Sequence, residues 1–264
     1  MEKDTLLAIA VEAAIKAGAE IMMVYETSFE VQFKSDHSPL TVADERAHQI
    51  IHSYLKSTHI PVISEEHKQA PYEERKHWRT CWMVDPLDGT KEFIKRNGEF
   101  TVNIALIENG QPVMGVIYVP VLKTLYYGVV SDGVAYKISL DKAVYSTAIF
   151  KDKISIYPKH EDGKPLRVIG SRSHKSRETD AFIAGLEQEG KSVQIVSKGS
   201  SLKFCLMAEG DADMYPRFVP TMEWDTAAGH GICSAVGLTV QRIDTGEPLQ
   251  YNKEDLLNPY FLVQ

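Results

Sequence analysis

The sequence predicts a mixed α/β protein with two unlike halves. Helical periodicity dominates residues 1–55, short β-branched runs separated by Asn-Gly and Asp-Gly dipeptides follow, and strands alternate with helices after residue 165. We therefore expect an α+β first half with a mostly antiparallel sheet and an α/β second half. The length of 264 residues allows two compact domains or one large domain.

Two helices are predicted at the start of the chain. Apolar residues recur at three- and four-residue steps over 7–25, with charged residues off that face, which indicates an amphipathic helix. Thr41 is a favourable N-cap and Asp44 lies three residues later, which is the spacing of a capping box. The second helix is therefore expected over 41–55.

Five short apolar or β-branched runs then predict strands at 61–64, 81–84, 100–107, 113–119 and 124–130. Asn109-Gly110 separates two of these runs and Asp132-Gly133 follows another. Such dipeptides favour hairpin turns because they accept positive φ. Much of the sheet is therefore expected to be antiparallel.

The polar segment 151–165 is the best candidate for a junction, which gives an N-terminal α+β domain at 1–160 and a C-terminal α/β domain at 161–264. Helices are expected near 177–189 and 201–209 and from Asp225 onward. Strands are expected at 166–171, 192–197, 213–217 and 238–243.

Composition excludes several classes of protein. The charge of −7, from 29 basic and 36 acidic residues, would repel a nucleic-acid backbone, so no polynucleotide partner is expected. Three widely spaced cysteines fit neither a disulfide framework nor a zinc knuckle, and they favour a reducing, cytoplasmic location. Charges interrupt the N-terminal apolar stretch, which argues against a signal peptide.

Acidic residues cluster where predicted elements begin or end. Asp85 and Asp88 follow a strand, in a turn fixed by proline and glycine, Glu65 and Glu66 follow another strand, and Asp225 opens a helix. Two acids on one rigid turn repel each other unless a cation lies between them, and Mg²⁺ prefers carboxylate oxygens. Each acid alone has a structural alternative, namely a surface turn, a solvated loop or a helix N-cap.

The acids stand in motifs that resemble those of the lithium-sensitive, Mg²⁺-dependent superfamily of inositol monophosphatase and fructose-1,6-bisphosphatase. The motifs are Glu-Glu at 65–66, Asp-Pro-Leu-Asp-Gly-Thr at 85–90 and Trp-Asp-Thr-Ala-Ala-Gly at 224–229. Four segments are more similar to the 3′(2′),5′-bisphosphate nucleotidase branch. They are residues 85–107, SRSH at 171–174, GSSLKFCLMAEG at 199–210 and YPRF at 215–218. The resemblance covers nearly the whole chain and implies a layered αβαβα sandwich.

The resemblance also implies roles for individual residues. The implied metal ligands are Glu65, Asp85, the Leu87 carbonyl, Asp88 and Asp225. Thr90 and Glu65 would position the attacking water, and Asp44 would lie near them, although its capping-box interpretation needs no catalytic role. The implied substrate contacts are Gly89, Thr90, Ser173, His174, Gly199, Ser200, Ser201, Lys203, Arg217 and Asp225. The serines could instead cap a helix, and Lys203 and Arg217 could be solvated charges.

The implied activity is hydrolysis of adenosine 3′,5′-bisphosphate to AMP and phosphate by a metal-activated water, with two or three Mg²⁺ ions per site and a link to sulfate assimilation. Two alternatives stay open: an inositol monophosphatase, and a non-catalytic phosphate or metal-ligand sensor on the same fold. Lys91-Glu92-Phe93 favours the nucleotidase branch. The resemblance further implies a homodimer, inhibition by Li⁺, and a peripheral position at the cytoplasmic face of the inner membrane, for which the sequence shows no anchor motif.

Overall fold

The computed structural model describes residues 1–27, 31–33, 39–159, 163–170 and 176–264. Its helices are α1 (Lys3–Tyr25), α2 (Val42–Leu55), α3 (Tyr72–Arg75), α4 (Thr90–Ile94), α5 (Arg177–Gln188), α6 (Leu202–Glu209) and α7 (Glu223–Ala235). Its strands are β1 (Val31–Phe33), β2 (Pro39–Thr41), β3 (Val62–Ser64), β4 (Thr80–Asp88), β5 (Thr101–Glu108), β6 (Gln111–Val119), β7 (Thr124–Val129), β8 (Val134–Ser139), β9 (Ile154–Ile156), β10 (Leu166–Ile169), β11 (Val193–Val196), β12 (Tyr215–Arg217), β13 (Val240–Arg242) and β14 (Phe261–Val263).

The central sheet has seven strands in the order β3-β4-β5-β6-β7-β8-β9. Every neighbouring pair is antiparallel except β3 and β4, which are parallel. Asn109 and Gly110 join β5 to β6 with φ of 49° and 77°, the conformation that a tight hairpin requires. The predicted antiparallel sheet is confirmed, and its single parallel pair carries part of the functional site.

Helices cover both faces of the central sheet. On one face, α1 and α2 pack side by side, α1 against β5 and β6 and α2 against β3 and β4, and a Cβ atom on Gly18 would come within 2.4 Å of the Tyr118 ring. On the other face, a Cβ atom on Gly115 would lie 2.0 Å from the carbonyl oxygen of Ala228 in α7. Only glycine leaves room for the Tyr118 ring against α1 and for the α7 backbone against β6. Helix α7 is thereby fixed next to the sheet.

The second half adds another sheet and an outer helix. β10 and β11 pair in parallel, β12, β14 and β13 pair antiparallel, and a bridge between Val168 and Met214 connects the two groups. Helices α6 and α7 fill the space between the two sheets, and α5 contacts β11 and β12. The layers run helix, sheet, helix, sheet, helix, as the resemblance implied.

Some sequence-based boundaries were wrong. Because α1 is packed on two sides, its buried surface is wider than a single amphipathic stripe. The strand predicted at 81–84 extends to Asp88, and α7 begins at Glu223 instead of Asp225. Strand β9 lies within the segment interpreted as a junction, because its backbone completes the sheet edge beside β8. The division at residue 160 stays a prediction.

Candidate active site

The site begins where the two parallel strands end side by side. β3 ends at Ser64, and the N–H of the next residue, Glu65, donates to the carbonyl of Val84 in β4 at 3.2 Å. This pairing sets Glu65 beside Asp85. The first turn of α7 adds Asp225 from the opposite layer. Carboxylate oxygens of Glu65, Asp85 and Asp225, which we call the acidic centre, all lie within 4.8 Å of one another.

The acidic centre is electrostatically unfavourable without a cation. Burial raises the pKa of Asp85 well above its ordinary value, and the negative charges of Glu65, Asp88 and Asp225 raise it further. Burial followed by the charges of Asp88 and Glu65 likewise raises the pKa of Asp225. A divalent cation would remove this repulsion, and three carboxylates are the oxygen donors that such a cation prefers. The residues therefore fit a metal ion.

Asp88, the fourth predicted acidic ligand, is held from the other half of the chain. Its Oδ2 accepts from the Ser200 hydroxyl at 2.7 Å, the Ser201 N–H at 2.6 Å and the Ser201 hydroxyl at 2.8 Å. We call residues 199–201 the serine loop. Both hydroxyls are predicted nucleotide contacts, and in the structure they donate to this carboxylate. Their contact with a nucleotide stays a prediction. In the same loop, the Gly199 N–H donates to Glu99 Oε2 at 2.8 Å.

The turn after β4 connects the acids to Thr90 and Asp44. The Leu87 N–H donates to Asp85 Oδ1 at 3.0 Å, and the Leu87 carbonyl lies 3.3 Å from Thr90 Oγ1. Thr90 Oγ1 also donates to Asp44 Oδ1 at 3.0 Å. Gly89 adopts φ 92°, a conformation that favours glycine, and precedes α4. A continuous polar chain therefore runs from the acidic centre to Asp44.

Asp44 caps α2 with one carboxylate oxygen and faces Thr90 with the other. Its Oδ2 accepts from the Thr41 N–H and hydroxyl, each at 2.7 Å, which completes the predicted capping box of α2. Its other oxygen faces Thr90. Burial raises the pKa of Asp44, although the hydrogen bonds from Thr41 and Thr90 oppose this shift. The cap is confirmed, and the catalytic role stays a prediction.

Two cationic side chains, Lys203 and Arg217, line the cleft beside the acids. Lys203 is 9% exposed and its Nζ donates to the Ser200 carbonyl at 3.0 Å. Burial, together with the positive charge of Arg217, lowers the pKa of Lys203 to about 8. The buried Nε of Arg217 has no hydrogen-bond partner within the described part of the chain. Both side chains line the same cleft as Asp88 and Asp225, so carboxylates and cations lie together there.

Sequence reasoning missed the residues that support this arrangement. Thr101 Oγ1 lies 2.6 Å from the Ser200 hydroxyl, and Asn103 Nδ2 donates to Ser201 Oγ at 2.8 Å. The sequence signal that could have identified them is a pair of polar residues within the otherwise apolar strand β5. Buried polar groups need hydrogen-bond partners, so such a pair indicates polar contacts with another element. Of the predicted substrate contacts, Ser173 and His174 lie outside the described residues.

Glu223, for which the motifs imply no role, and the three cysteines are buried. Glu223 is fully buried and accepts from the backbone N–H groups of Asn252 and Lys253 at 2.5 and 3.1 Å. It thereby holds the segment that follows β13. The three cysteines are all free and buried, which agrees with the absence of a predicted disulfide framework.

Comparison with known proteins agrees with this architecture. The inositol monophosphatase family matches residues 2–262. The 3′(2′),5′-bisphosphate nucleotidase CysQ of Salmonella typhimurium is 47% identical over 96% of each chain, and that of Escherichia coli K12 is 45% identical over the same shares. The crystal structure of CysQ from Bacteroides thetaiotaomicron, a bacterial member of the family, has 51% identity and a TM-score of 0.86 over 97% of this chain and 95% of its own. By family match, full-length relatives and fold together, this chain belongs to the inositol monophosphatase family.

Proposed function

We propose that this chain is a 3′(2′),5′-bisphosphate nucleotidase that hydrolyses adenosine 3′,5′-bisphosphate to AMP and phosphate. The observation that carries the proposal is a cleft lined by the carboxylates Asp88 and Asp225, with the cations Lys203 and Arg217 beside them. A substrate with two phosphate groups suits such a cleft, because a metal ion can take one group and the cations the other. Relatives that bear this activity in their names are 45–47% identical to the chain.

The acidic centre would hold Mg²⁺, with two or three ions per site as the proposed number. Glu65, Asp85 and Asp225 are the first candidates for ligands, and Asp88 and the Leu87 carbonyl are the additional ones. Bound Mg²⁺ would supply Lewis-acid polarisation of the phosphoryl group and a water of lowered pKa. The chain's own contribution is to hold these oxygens rigidly at the ends of β3 and β4 and at the start of α7.

Thr90 and Asp44 would position the attacking water and accept its proton. The Thr90 hydroxyl donates to Asp44, so its oxygen lone pairs remain able to accept a hydrogen bond from a water. Asp44 is fixed by Thr41 and cannot turn away without breaking the cap of α2. Its raised pKa suits a group that takes up a proton, and Glu65 would hold the same water from the metal side.

Lys203 and Arg217 would bind the second phosphate. An isolated buried ammonium group is costly, and a doubly charged phosphate would compensate it with charge-assisted hydrogen bonds. The serine loop would act indirectly, because Ser200 gives its carbonyl to Lys203 and its hydroxyl to Asp88. This arrangement would couple binding of the second phosphate by Lys203 to the position of the Asp88 carboxylate near the phosphate that reacts.

Further properties are proposed by analogy with the family: inhibition by Li⁺, a homodimer, and a peripheral position at the inner membrane. None of the described helices has both the length and the apolar character needed to cross a bilayer.

The test is phosphate release from adenosine 3′,5′-bisphosphate, adenosine 3′-monophosphate and inositol 1-phosphate, with and without Mg²⁺. We expect Mg²⁺-dependent release with a clear preference for the bisphosphate, and loss of release in Asp88→Asn with the fold retained. Lys203→Met should raise KM for the bisphosphate at least tenfold and leave the monophosphate nearly unaffected, since charge-assisted hydrogen bonds contribute about 1.5–3 kcal/mol. Preference for inositol 1-phosphate would support an inositol monophosphatase, and no release from any compound would support a sensor.

A further inference from the structure

Three histidine side chains meet on the surface outside the acidic centre. His48 and His52 lie one turn apart on α2, and His67 follows the end of β3. The ring centroids are 5.8 Å apart for His48 and His52, 5.8 Å for His48 and His67, and 6.2 Å for His52 and His67. These three residues, the histidine cluster, thus form a nearly equilateral triangle of imidazole rings.

The histidine cluster is close to the size that a single metal ion requires, and it needs side-chain rotation to bring its nitrogens together. With a metal to nitrogen distance of about 2.0–2.1 Å, two imidazoles on one tetrahedral ion have centroids roughly 5 Å apart. The observed separations exceed that value by about one ångström, and the His48 and His67 rings are stacked at 11°, so their nitrogens do not point at one position. Rotation of the exposed His52 and His67 side chains can close this difference, because neither ring is confined by the core.

His48 already has the support that metal-binding imidazoles usually have. Its Nδ1 lies 3.1 Å from the Ser64 hydroxyl, and the ring is half-buried. A hydrogen bond at one ring nitrogen fixes the orientation of the ring and leaves the other nitrogen to coordinate a metal. The half-buried His48 ring is therefore fixed in orientation, and the exposed His52 and His67 side chains can rotate toward it.

We propose that His48, His52 and His67 form a second metal site, which binds a divalent transition-metal ion of the Zn²⁺ type. Imidazole nitrogens select zinc, nickel or copper over Mg²⁺, which prefers oxygen ligands. The same groove is lined by Glu74, which leaves the fourth coordination position to this carboxylate or to water. Because His67 follows Glu65 by two residues, an ion bound here ties the chain segment that carries Glu65 to α2.

The test is calorimetric titration of the full chain with Zn²⁺ in a large excess of Mg²⁺, which occupies the acidic centre. We expect one Zn²⁺ per chain, and affinity at least tenfold weaker in His52→Asn and in His67→Asn. His59→Asn is the matched control, since His59 lines the same groove outside the histidine cluster. Its Zn²⁺ affinity should equal that of the wild type.

X-ray absorption of the Zn²⁺ complex should give nitrogen ligands at about 2.0–2.1 Å. Asp85→Asn should keep this binding, which separates the histidine cluster from the acidic centre. Coordination by oxygen alone, unchanged affinity in both cluster variants, or equal weakening in His59→Asn would overturn the proposal. These readouts do not depend on phosphatase activity, so they hold whatever the enzyme's substrate is.

Discussion

Ser201 donates both its backbone N–H and its hydroxyl to the same carboxylate oxygen of Asp88, at 2.6 and 2.8 Å. The two residues are 113 positions apart and belong to different halves of the chain. A third donor, the Ser200 hydroxyl, reaches that oxygen at 2.7 Å. The serine loop therefore fixes which oxygen of Asp88 is left for other interactions.

Replacing Ser201 should weaken metal-dependent catalysis without unfolding the chain. Ser201→Ala removes one hydrogen bond to a charged oxygen, which contributes about 1.5–3 kcal/mol, and leaves Asp88 less well oriented. We expect kcat/KM to fall about tenfold or more and the Mg²⁺ concentration for half-maximal phosphate release to rise. Ser131→Ala, at an exposed serine whose hydroxyl donates to its neighbour Asp132, is the control. An unchanged Mg²⁺ dependence in Ser201→Ala would argue against this role for the loop.

Asp85→Asn should stabilise the metal-free protein. Because the pKa of Asp85 is raised in the folded state, native Asp85 holds a proton that the unfolded chain releases above about pH 4. The stabilisation that this bound proton gives to the folded state is therefore present at low pH. It is lost as the pH rises through the pKa that Asp85 has in the folded state. Asparagine has no proton to release, so the free energy of unfolding of the variant should exceed that of the wild type at neutral pH.

Mg²⁺ should reverse that order. The wild type gains stability by binding the ion, by about 2.7 kcal/mol at one hundred times Kd, and Asp85→Asn should gain little. Urea unfolding with and without Mg²⁺ measures both effects. Equal stabilisation of the two proteins by Mg²⁺ would exclude Asp85 as a ligand.

Lys203→Met should also stabilise the ligand-free protein, with a different pH dependence. Burial lowers the pKa of Lys203 to about 8, whereas a lysine in the unfolded chain titrates near 10.4. Between these values the unfolded state binds more protons, so the wild type becomes more stable as pH rises. The advantage of the variant should be roughly 3 kcal/mol below pH 8 and should diminish toward pH 10. A constant difference across that range would indicate that Lys203 titrates normally.

Glu223→Gln should destabilise the fold and leave the response to metal intact. The buried carboxylate accepts one backbone N–H on each of its oxygens, whereas glutamine has a single acceptor oxygen and leaves one of these N–H groups unpaired. We expect a loss of about 1–3 kcal/mol in unfolding free energy, measured by urea denaturation. Glu247→Gln, at an exposed position, should change little. Loss of Mg²⁺ stabilisation at unchanged stability would instead place Glu223 in the metal site.

Much of the architecture could be predicted from short-range patterns. The periodicity of α2, the Thr41–Asp44 cap and the Asn109-Gly110 turn depend on residues within a few positions of one another. The acids of the site could be nominated because they stand at strand ends and in motifs that resemble a known family. Boundaries failed where packing overrode local preference, as when β4 continued to Asp88.

The sequence alone determined which elements form and which side chains carry charge, because hydrogen bonding and apolar periodicity within an element are local. Only the tertiary structure decided which of these side chains meet. The serines face Asp88, Lys203 is buried beside Arg217, and three histidines share one surface because distant elements pack together. These contacts depend on how whole helices and strands are placed relative to one another. Packing of the core sets that placement, and no local sequence pattern predicts it.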